Sequence, residues 1–540
     1  MPQLTRSERS ILVYAIYALT VSATSALAAG PTVVHNARHD TSLPLAQLAN
    51  RGRMPSNRTD REMAEPRPTR GALASGREDA VAKPLEAPLS GVSTVIGFDG
   101  QSAADNRRVF GFAFVPPDTN GAVGASQYVQ MVNVTIAVYS KRDGTLQLGP
   151  VAIHSLWNGF GGLCENGGET AVYSDGGDPI VLYDRLADRW LVSQLQFDET
   201  FTRTAQCIAI STSSDATGAY NRYQFDFGVN FPDYPKFGIW PDAYYNSINV
   251  FPGKAFAGAQ ACAFDRTAML AGRPADAICF QQPSSVSSLL PADFDGSTLP
   301  PAGAPNYFVG LADATHLNLF RFHADFAHPS ASTLSGPVSI EVAPFNEICA
   351  RANTRACIAE PEPGEKVDGL SDRVMFRLAY RNFGDHEALV VNHTVEGGAL
   401  GAVRWYEIRS PGSTPFVFQQ GTIVDPDTDF WLGSIAMDRV GNIAVGFNAM
   451  SKRDFSSVYV AGRKASDPPG AMFGPLQLAV GSGVQFNSYK RWGDYSSMTV
   501  DPKDDCTFWY TQEYYVSSGS FNWATRVGAF RFDNCKSGGK

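Results

Sequence analysis

The chain has 540 residues, 44% of them apolar, which is enough for a large hydrophobic core in one or more domains. Only 18% of the residues are charged and the net charge is −9, so the sequence lacks the basic surplus that a nucleic-acid partner requires. Glycine (50), proline (34), phenylalanine (34) and tyrosine (20) are abundant, a mixture typical of short aromatic strands joined by tight turns.

The N-terminus has the three parts of a secretory signal. Arg6 and Arg9 form a basic start, residues 11–27 are mostly apolar, and Ala26-Leu-Ala28 offers a small-residue cleavage site. A membrane anchor is the alternative, but several Ser and Thr residues dilute the apolar run. We predict a signal peptide over residues 1–28 and a secreted protein, extracellular or periplasmic. No later stretch is apolar for the length of a bilayer, so we expect no membrane span in the mature chain.

Residues 29–93 are poor in aromatic residues and rich in Arg, Glu, Pro, Ala and Ser. Such a composition buries too little apolar surface to offset the entropy of ordering the chain. We therefore predict a disordered leader or pro-segment over 29–93, and a folded β-domain over 94–540.

A four-strand pattern is clearest between residues 178 and 228. Short apolar or alternating runs, bounded by Gly, Asp and Pro, indicate four successive antiparallel strands at 179–184, 189–197, 204–211 and 220–227. Similar units begin near Asp118, Asp178, Asp242, Asn306, Asp372, Trp431 and Asp494. The sequence thus predicts an all-β fold, a seven-bladed β-propeller of four-stranded antiparallel blades. A β-sandwich with a smaller β-domain is the alternative.

The last predicted unit is one strand short. The segment Arg108–Val115, which precedes the first unit, offers an N-terminal strand that would close the ring and remove an exposed sheet edge.

Eight cysteines, with no CxxC pair, favour disulfides in an oxidising compartment over a zinc cluster. Near neighbours suggest Cys262–Cys279, Cys349–Cys357 and Cys506–Cys535, which leaves Cys164–Cys207.

The ligand-binding mouth of a propeller is formed by residues just before each first strand and by the loops between second and third strands. Aspartate precedes several predicted first strands, and Trp240 and Trp492 each stand two residues before one of them. We expect the mouth to bind a substrate through Trp240, Trp492, Arg491, Asp178, His393 and Tyr514.

Carboxylates beside indoles suit a carbohydrate, and two carboxylates can split a glycosidic bond. Glu513 lies among tyrosines that would raise its pKa, as a general acid requires. Asp494 or Asp242 would be its partner. The alternative is that the aspartates cap turns through their backbone N–H groups. Asp118 and Asp425 begin segments that faintly resemble calcium loops. We expect no cofactor, with a structural calcium ion as the alternative.

A second cluster contains Arg377, Arg381 and Arg404, which could clamp an anionic sugar. The adjoining Asp385, His386 and Glu387 fall in a hairpin turn, where such residues normally face solvent. A structural role is the alternative.

The segments Pro116–Gly124, Asp178–Asp184 and Arg491–Met498 resemble a group of uncharacterised exported bacterial β-propeller proteins. The resemblance covers roughly residues 95 to 535 and implies the fold without an activity. The architecture is also similar to sialidase-like propellers, although the Phe-Arg-Ile-Pro segment of sialidases is absent and their Asp box is only echoed at Ser213–Tyr220.

Two functions follow as hypotheses. The first is a secreted carbohydrate-active protein, a glycoside hydrolase acting at the propeller mouth through Glu513 with Asp494 or Asp242. The alternative is a non-catalytic β-propeller that binds an extracellular glycan or a cell-surface protein. Propellers host both kinds of function, so the fold does not choose between them.

Overall fold

The computed structural model describes residues 30–49, 59–63, 72–166, 176–349, 355–486 and 488–536. The predicted signal peptide, residues 1–28, lies outside these ranges. Within them, no helix has the length and apolar character needed to cross a membrane. Strands dominate the regular structure and helices are few and short, which confirms the all-β prediction.

The N-terminal part of the described chain contributes six strands and two short helices. They are β1 (Thr32–His35), β2 (Arg38–Thr41), α1 (Leu45–Leu48), β3 (Arg61–Glu62), β4 (Ala82–Pro84), β5 (Val92–Ser102), α2 (Ala103–Phe110) and β6 (Phe114–Val115).

The chain then forms four-strand antiparallel meanders. The first contains β7 (Asn120–Val123), β8 (Gln127–Val132), β9 (Thr135–Ser140) and β10 (Leu146–Ala152), followed by a 3₁₀ helix (Ile153–Trp157) and α3 (Gly162–Asn166). The second contains β11 (Ile180–Asp184), β12 (Arg189–Phe197), β13 (Thr204–Ser211) and β14 (Tyr220–Gly228). The third contains β15 (Asn230–Ile239), β16 (Ala243–Pro252), β17 (Gly258–Asp265) and β18 (Asp276–Gln281), with α4 (Arg266–Leu270) before its last strand.

The same pattern continues through the C-terminal half. The next meander contains β19 (Leu290–Asp295), β20 (Asn306–Asp313), β21 (His316–His323) and β22 (Thr333–Glu341), with a 3₁₀ helix at Pro329–Ala331. A small hairpin of β23 (Ala356–Ala359) and β24 (Lys366–Asp368) is inserted before β25 (Met375–Asn382), β26 (Glu387–Gly397), β27 (Leu400–Arg409) and β28 (Phe416–Val424). After these come β29 (Asp429–Met437), β30 (Ile443–Met450), β31 (Ser457–Arg463) and β32 (Phe473–Ala479), then β33 (Ser497–Val500), β34 (Thr507–Tyr515) and β35 (Trp523–Phe532).

The first strands of successive meanders lie beside one another. In chain order β7, β11, β15, β19, β25, β29 and β33 each contact the next, and β33 contacts β7. Of these pairs, β19 and β25 are hydrogen-bonded in parallel. The first strands of successive meanders are therefore neighbours, and the parallel pairing of β19 with β25 places their first residues at the same end of the sheets.

The last sheet is completed by an N-terminal strand, but not by the one expected. Strand β5 pairs antiparallel with β35, whereas most of the predicted strand Arg108–Val115 belongs to helix α2 and the turn after it. The helix begins where the Asp105 carboxylate accepts a hydrogen bond from the Ser102 amide, and it ends at Gly111, with φ 87°. These two end signals, Ser-x-x-Asp and Gly, outweigh the aromatic alternation that suggested a strand.

Two predicted units begin one strand too late. The segments after Asp242 and from Asn306 are second strands, β16 and β20, because β15 and β19 precede them. Strand β15 contains Pro232 and Pro235, which cannot donate ladder hydrogen bonds and so weaken the strand pattern in the sequence.

Part of the predicted disordered leader is ordered against the sheets. Strands β1, β2 and β4 add to the outer edges of the meanders at β18, β14 and β28. Backbone pairing at a sheet edge needs little apolar side-chain area, so a polar composition does not prevent it.

Four disulfides join Cys164–Cys207, Cys262–Cys279, Cys349–Cys357 and Cys506–Cys535, which confirms the predicted pairing. They are consistent with an extracellular or periplasmic protein.

A left-handed residue accompanies each first strand. Seven non-glycine residues with φ between 45° and 54° stand just before or within the first strand of a different meander: Asp118, Asp178, Tyr234, Ser288, Leu370, Leu432 and Asp494. The repeat is therefore a backbone kink, which Asp tolerates better than most residues, rather than a ring of acids. This explains why aspartate recurs at only some of these positions.

Candidate functional site

The structure brings Asp494 and Glu513 together at one end of the last sheet, the end at which its first strand, β33, begins. Asp494 stands three residues before β33 starts, and Glu513 is near the end of β34, the second strand. Antiparallel pairing places these two ends side by side. Both side chains are buried, and a methyl group on Gly493 would lie 3.3 Å from Glu513 Oε2.

A third buried carboxylate joins them from the inserted hairpin. Glu360 directly follows β23 and accepts hydrogen bonds from the Gln485 amide at 3.0 and 3.2 Å. The Gln485 side chain accepts a hydrogen bond from the Tyr515 hydroxyl at 2.9 Å, which links the hairpin to the end of β34. We call Glu360, Asp494 and Glu513 the carboxylate cluster.

The members of the carboxylate cluster differ in their electrostatic surroundings. Burial raises the pKa of Glu513 well above its usual range, and the nearby negative charges of Asp494 and Glu360 raise it further. Burial likewise raises the pKa of Glu360 to about 8. Asp494 instead forms a buried ion pair with the Arg491 guanidinium. Two buried acids whose pKa values are raised thus lie beside an ion-paired carboxylate.

The leader covers this cluster through residues 59–63. Arg491 Nη1 donates to the Met63 carbonyl at 2.9 Å, so the cation that pairs with Asp494 also holds the leader. The Asp60 carboxylate accepts hydrogen bonds from the Ala113 amide at 2.7 Å and from Arg107 Nη2 at 2.6 Å. These contacts fix the short strand β3 beside β6.

The predicted sugar-stacking tryptophans are buried and their indole N–H groups are bonded. Trp492 Nε1 donates to the Asn448 side chain at 3.2 Å, and its ring stacks on Tyr515 with centroids 5.2 Å apart. Trp240 packs edge-on against Tyr380 and donates to the Ala304 carbonyl. Neither ring is free to stack on a sugar in this structure.

Asp178 belongs to a second buried group, which lies at the first strands β11 and β15. Its Oδ2 accepts a hydrogen bond from the Tyr234 amide at 3.0 Å. Close by, Lys236 Nζ lies 3.7 and 3.6 Å from the ring centroids of Tyr234 and Tyr495. Burial lowers the pKa of Lys236 to about 8, partly offset by the charges of Asp178 and Asp118. An internal ammonium group therefore balances part of this negative charge.

Asp242 lies away from the carboxylate cluster. It is an exposed residue in the turn between β15 and β16, where it accepts a hydrogen bond from the Tyr245 hydroxyl at 3.1 Å. A turn between first and second strands is at the opposite end of a sheet from residues that precede a first strand. The predicted pairing of Glu513 with Asp242 is therefore corrected, and Asp494 is the neighbour that the structure provides. Trp240 lies at the same end of the sheet as Asp242, because it directly follows β15.

His393 and Tyr514 both contact other side chains of the fold. His393 is fully buried in β26, where its Nε2 lies 2.9 Å from the Tyr406 hydroxyl and its ring meets Phe345 edge-on. Tyr514 follows Glu513 in β34, so it faces the other side of the sheet, and its hydroxyl lies 3.4 Å from the Asp99 carboxylate.

The predicted arginine clamp does not assemble. Arg377 pairs with Asp293 and Asp295, Arg381 with Asp505, and Arg404 with Asp79 of the leader. Each guanidinium is satisfied by a different partner inside the fold. In the part of the chain that the structure describes, no group of three or more His, Cys, Asp or Glu residues is arranged to hold a metal ion.

Sequence reasoning missed Glu360 and Lys236. Glu360 lies in a hairpin inserted between two meanders, outside the repeating strand pattern from which the site residues were predicted. Lys236 lies in the proline-containing β15, which the sequence pattern did not identify as a strand.

The sequence matches no protein-family model and no curated protein. The structure is similar to an α-L-arabinanase from Penicillium chrysogenum, with 10% identity, 69% of this chain and 98% of that chain covered, and a TM-score of 0.34. An α-L-arabinofuranosidase from Fusarium graminearum has 8% identity, 70% and 99% coverage and a TM-score of 0.32. The polysaccharide lyase Uly1 has 9% identity, 93% and 99% coverage and a TM-score of 0.35. These comparisons do not confirm a likeness to sialidases, and at such scores they assign no substrate to this chain.

Proposed function

We propose that this protein is a secreted, carbohydrate-active β-propeller of seven four-stranded blades, closed by β5. Support for the closed ring comes from the unbroken series of contacts between first strands, including the contact of β33 with β7. Support for secretion comes from the four disulfides and the signal-like N-terminal sequence.

The observation that carries the activity is the contrast between two neighbouring carboxylates. Burial raises the pKa of Glu513 well above its usual range, which favours the protonated acid, and Asp494 is ion-paired with Arg491. Glycoside hydrolases use such a pair, in which one carboxylic acid protonates the leaving oxygen and one carboxylate acts as base or nucleophile. Glu513 would protonate the glycosidic oxygen as its bond to the anomeric carbon breaks, and Asp494 would deliver water or attack that carbon.

The test is a cleavage screen of the mature protein against a glycan panel, repeated with Glu513→Gln and Asp494→Asn. Glu513→Gln keeps the shape and removes the transferable proton, so we expect cleavage to fall by at least roughly 100-fold. Asp242→Asn is the matched control, because it changes an aspartate at the opposite end of a sheet. Thermal unfolding of each variant separates loss of chemistry from loss of fold.

Cleavage that is unchanged in Glu513→Gln would remove Glu513 from the reaction. The absence of both cleavage and binding across the panel would overturn the carbohydrate function itself.

A non-catalytic glycan-binding propeller is the second candidate. It is favoured by the burial of Glu513, Asp494 and Trp492 beneath the inserted hairpin and residues 59–63. Glycan binding without cleavage, unaffected by Glu513→Gln, would select this function.

A further inference from the structure

A separate cavity of about 1040 Å³ lies at the same end of the sheets as the carboxylate cluster. It is bounded by the inserted hairpin, the loop between β26 and β27, and the loops before β29 and after β30. We call it the side pocket. Its volume is at the upper end of the range for small-molecule sites, so it can enclose an oligosaccharide segment.

The inserted hairpin forms the wall between the side pocket and the carboxylate cluster. Ala359 lines the pocket, and the next residue, Glu360, belongs to the cluster. The Cys349–Cys357 disulfide ties the hairpin to the preceding segment, and the Glu347 amide donates to the Leu73 carbonyl of the leader. This wall is therefore held from two sides.

The inner surface of the side pocket carries carboxylates. Asp429 is only 5% exposed, and its Oδ1 accepts a hydrogen bond from the Gly401 amide at 2.6 Å. Glu347 is also buried, and Glu396 is partly exposed beside them. Fixed carboxylate oxygens at this depth are acceptors for hydroxyl groups.

The outer lining carries three cations and one carboxylate, that of the exposed Asp427. Lys452 and Arg453 are exposed on the loop after β30, and Lys366 is exposed on the opposite hairpin. Ile348 and Leu400 add apolar surface between the two polar zones. The lining thus offers cationic groups at the opening and acceptors within, which suits a ligand with both carboxylate and hydroxyl groups.

We propose that the side pocket binds an acidic oligosaccharide, with uronate carboxylates paired to Lys366, Lys452 and Arg453 and sugar hydroxyls donating to Asp429, Glu347 and Glu396. This inference rests on the proposed carbohydrate function and names its ligand class, but it does not depend on cleavage by Glu513.

The test is calorimetric titration of the full mature chain with a panel of uronate tetramers. Each tetramer is paired with the neutral sugar tetramer of the same linkage, which replaces the carboxylate with a hydroxymethyl group. The double variant Lys452→Ala with Arg453→Ala removes two cations from the rim. The control is Lys254→Ala, an exposed lysine on the corresponding loop between β16 and β17.

We expect at least one uronate tetramer to bind more tightly than its neutral counterpart, with an affinity that falls as salt rises. The double variant should weaken that binding at least roughly tenfold, because each lost cation removes a charge-assisted hydrogen bond. Lys254→Ala should leave it unchanged. Asp429→Asn should weaken uronate and neutral tetramers alike, because it acts on hydroxyl groups.

Three outcomes would overturn the inference. One is tighter binding of neutral than of uronate tetramers, which would leave the carbohydrate function standing. Another is uronate binding that the double variant does not change. The third is no binding of any sugar, which together with no cleavage would also overturn the proposed function.

Discussion

The carboxylate cluster and the side pocket occupy the same end of the sheets but differ in accessibility. Glu513 and Asp494 are buried beneath the leader and the inserted hairpin, Asp494 in an ion pair with Arg491 and Glu513 with a raised pKa. The side pocket has buried acids at its floor and exposed lysine and arginine at its opening. The buried carboxylates of the cluster and the accessible surface of the side pocket are therefore separated only by the inserted hairpin. We accordingly propose catalysis and ligand binding for two different, adjoining regions.

The largest expected effect on stability concerns the carboxylate cluster. Arg491→Ala would leave Asp494 as a buried charge without its cation, which should lower the free energy of unfolding by about 3–5 kcal/mol. Arg108→Ala is the control, because the Arg108 side chain is more than half exposed in its pair with Asp105, and the loss of that pair should cost below roughly 1 kcal/mol. Chemical denaturation of both variants measures the difference, and equal losses would show that the Arg491 pair is not sealed from solvent.

Glu360 should make stability depend on pH. Its pKa is raised to about 8, so the folded state binds its proton more strongly than the unfolded chain. The resulting stability is present below pH 4.5 and is lost as the pH rises through 8. Glu360→Gln should reduce the loss of unfolding free energy between pH 5 and pH 9 by roughly 2–4 kcal/mol. Glu362→Gln, an exposed change on the same hairpin, should not. Parallel pH curves for the wild type and Glu360→Gln would contradict the burial of this carboxylate.

Asp429 should show a smaller effect with the same sign. Burial raises its pKa to about 6, while the Gly401 amide and Lys452 act in the opposite direction. The stability from its bound proton is lost as the pH rises from about 3.8 through 6. Asp429→Asn should flatten the stability curve in this window by roughly 1–2 kcal/mol, whereas Asp427→Asn, an exposed change nearby, should leave it unaltered. A shift as large as that of Glu360 would mean that the side pocket is as sealed as the cluster.

The sequence predicted the strands that follow a simple pattern. Alternation at Arg189–Phe197 and turn residues around it identified the second meander almost residue by residue. It failed where proline interrupts a strand, as in β15, and where helix-end signals at Ser102 and Gly111 outweigh an aromatic run. Local pattern is reliable only where no residue type conflicts with it.

The candidate site was predictable where it depends on strand ends. Asp494 and Glu513 come together because antiparallel pairing aligns the start of β33 with the end of β34. Asp242 was predicted at the wrong end of its sheet, because strand β15, which precedes it, was not recognised in the sequence. Glu360, Met63 and the side pocket depend on an insertion and on the leader, whose positions are set by tertiary contacts that spacing does not encode.

The most direct experiment is to measure glycan binding and cleavage in parallel for the wild type, Glu513→Gln, and Lys452→Ala with Arg453→Ala. We expect Glu513→Gln to lower cleavage by at least roughly 100-fold and to keep binding. We expect the double variant to weaken the binding of an acidic oligosaccharide. Cleavage that survives in Glu513→Gln, together with unchanged binding in the double variant, would contradict both assignments.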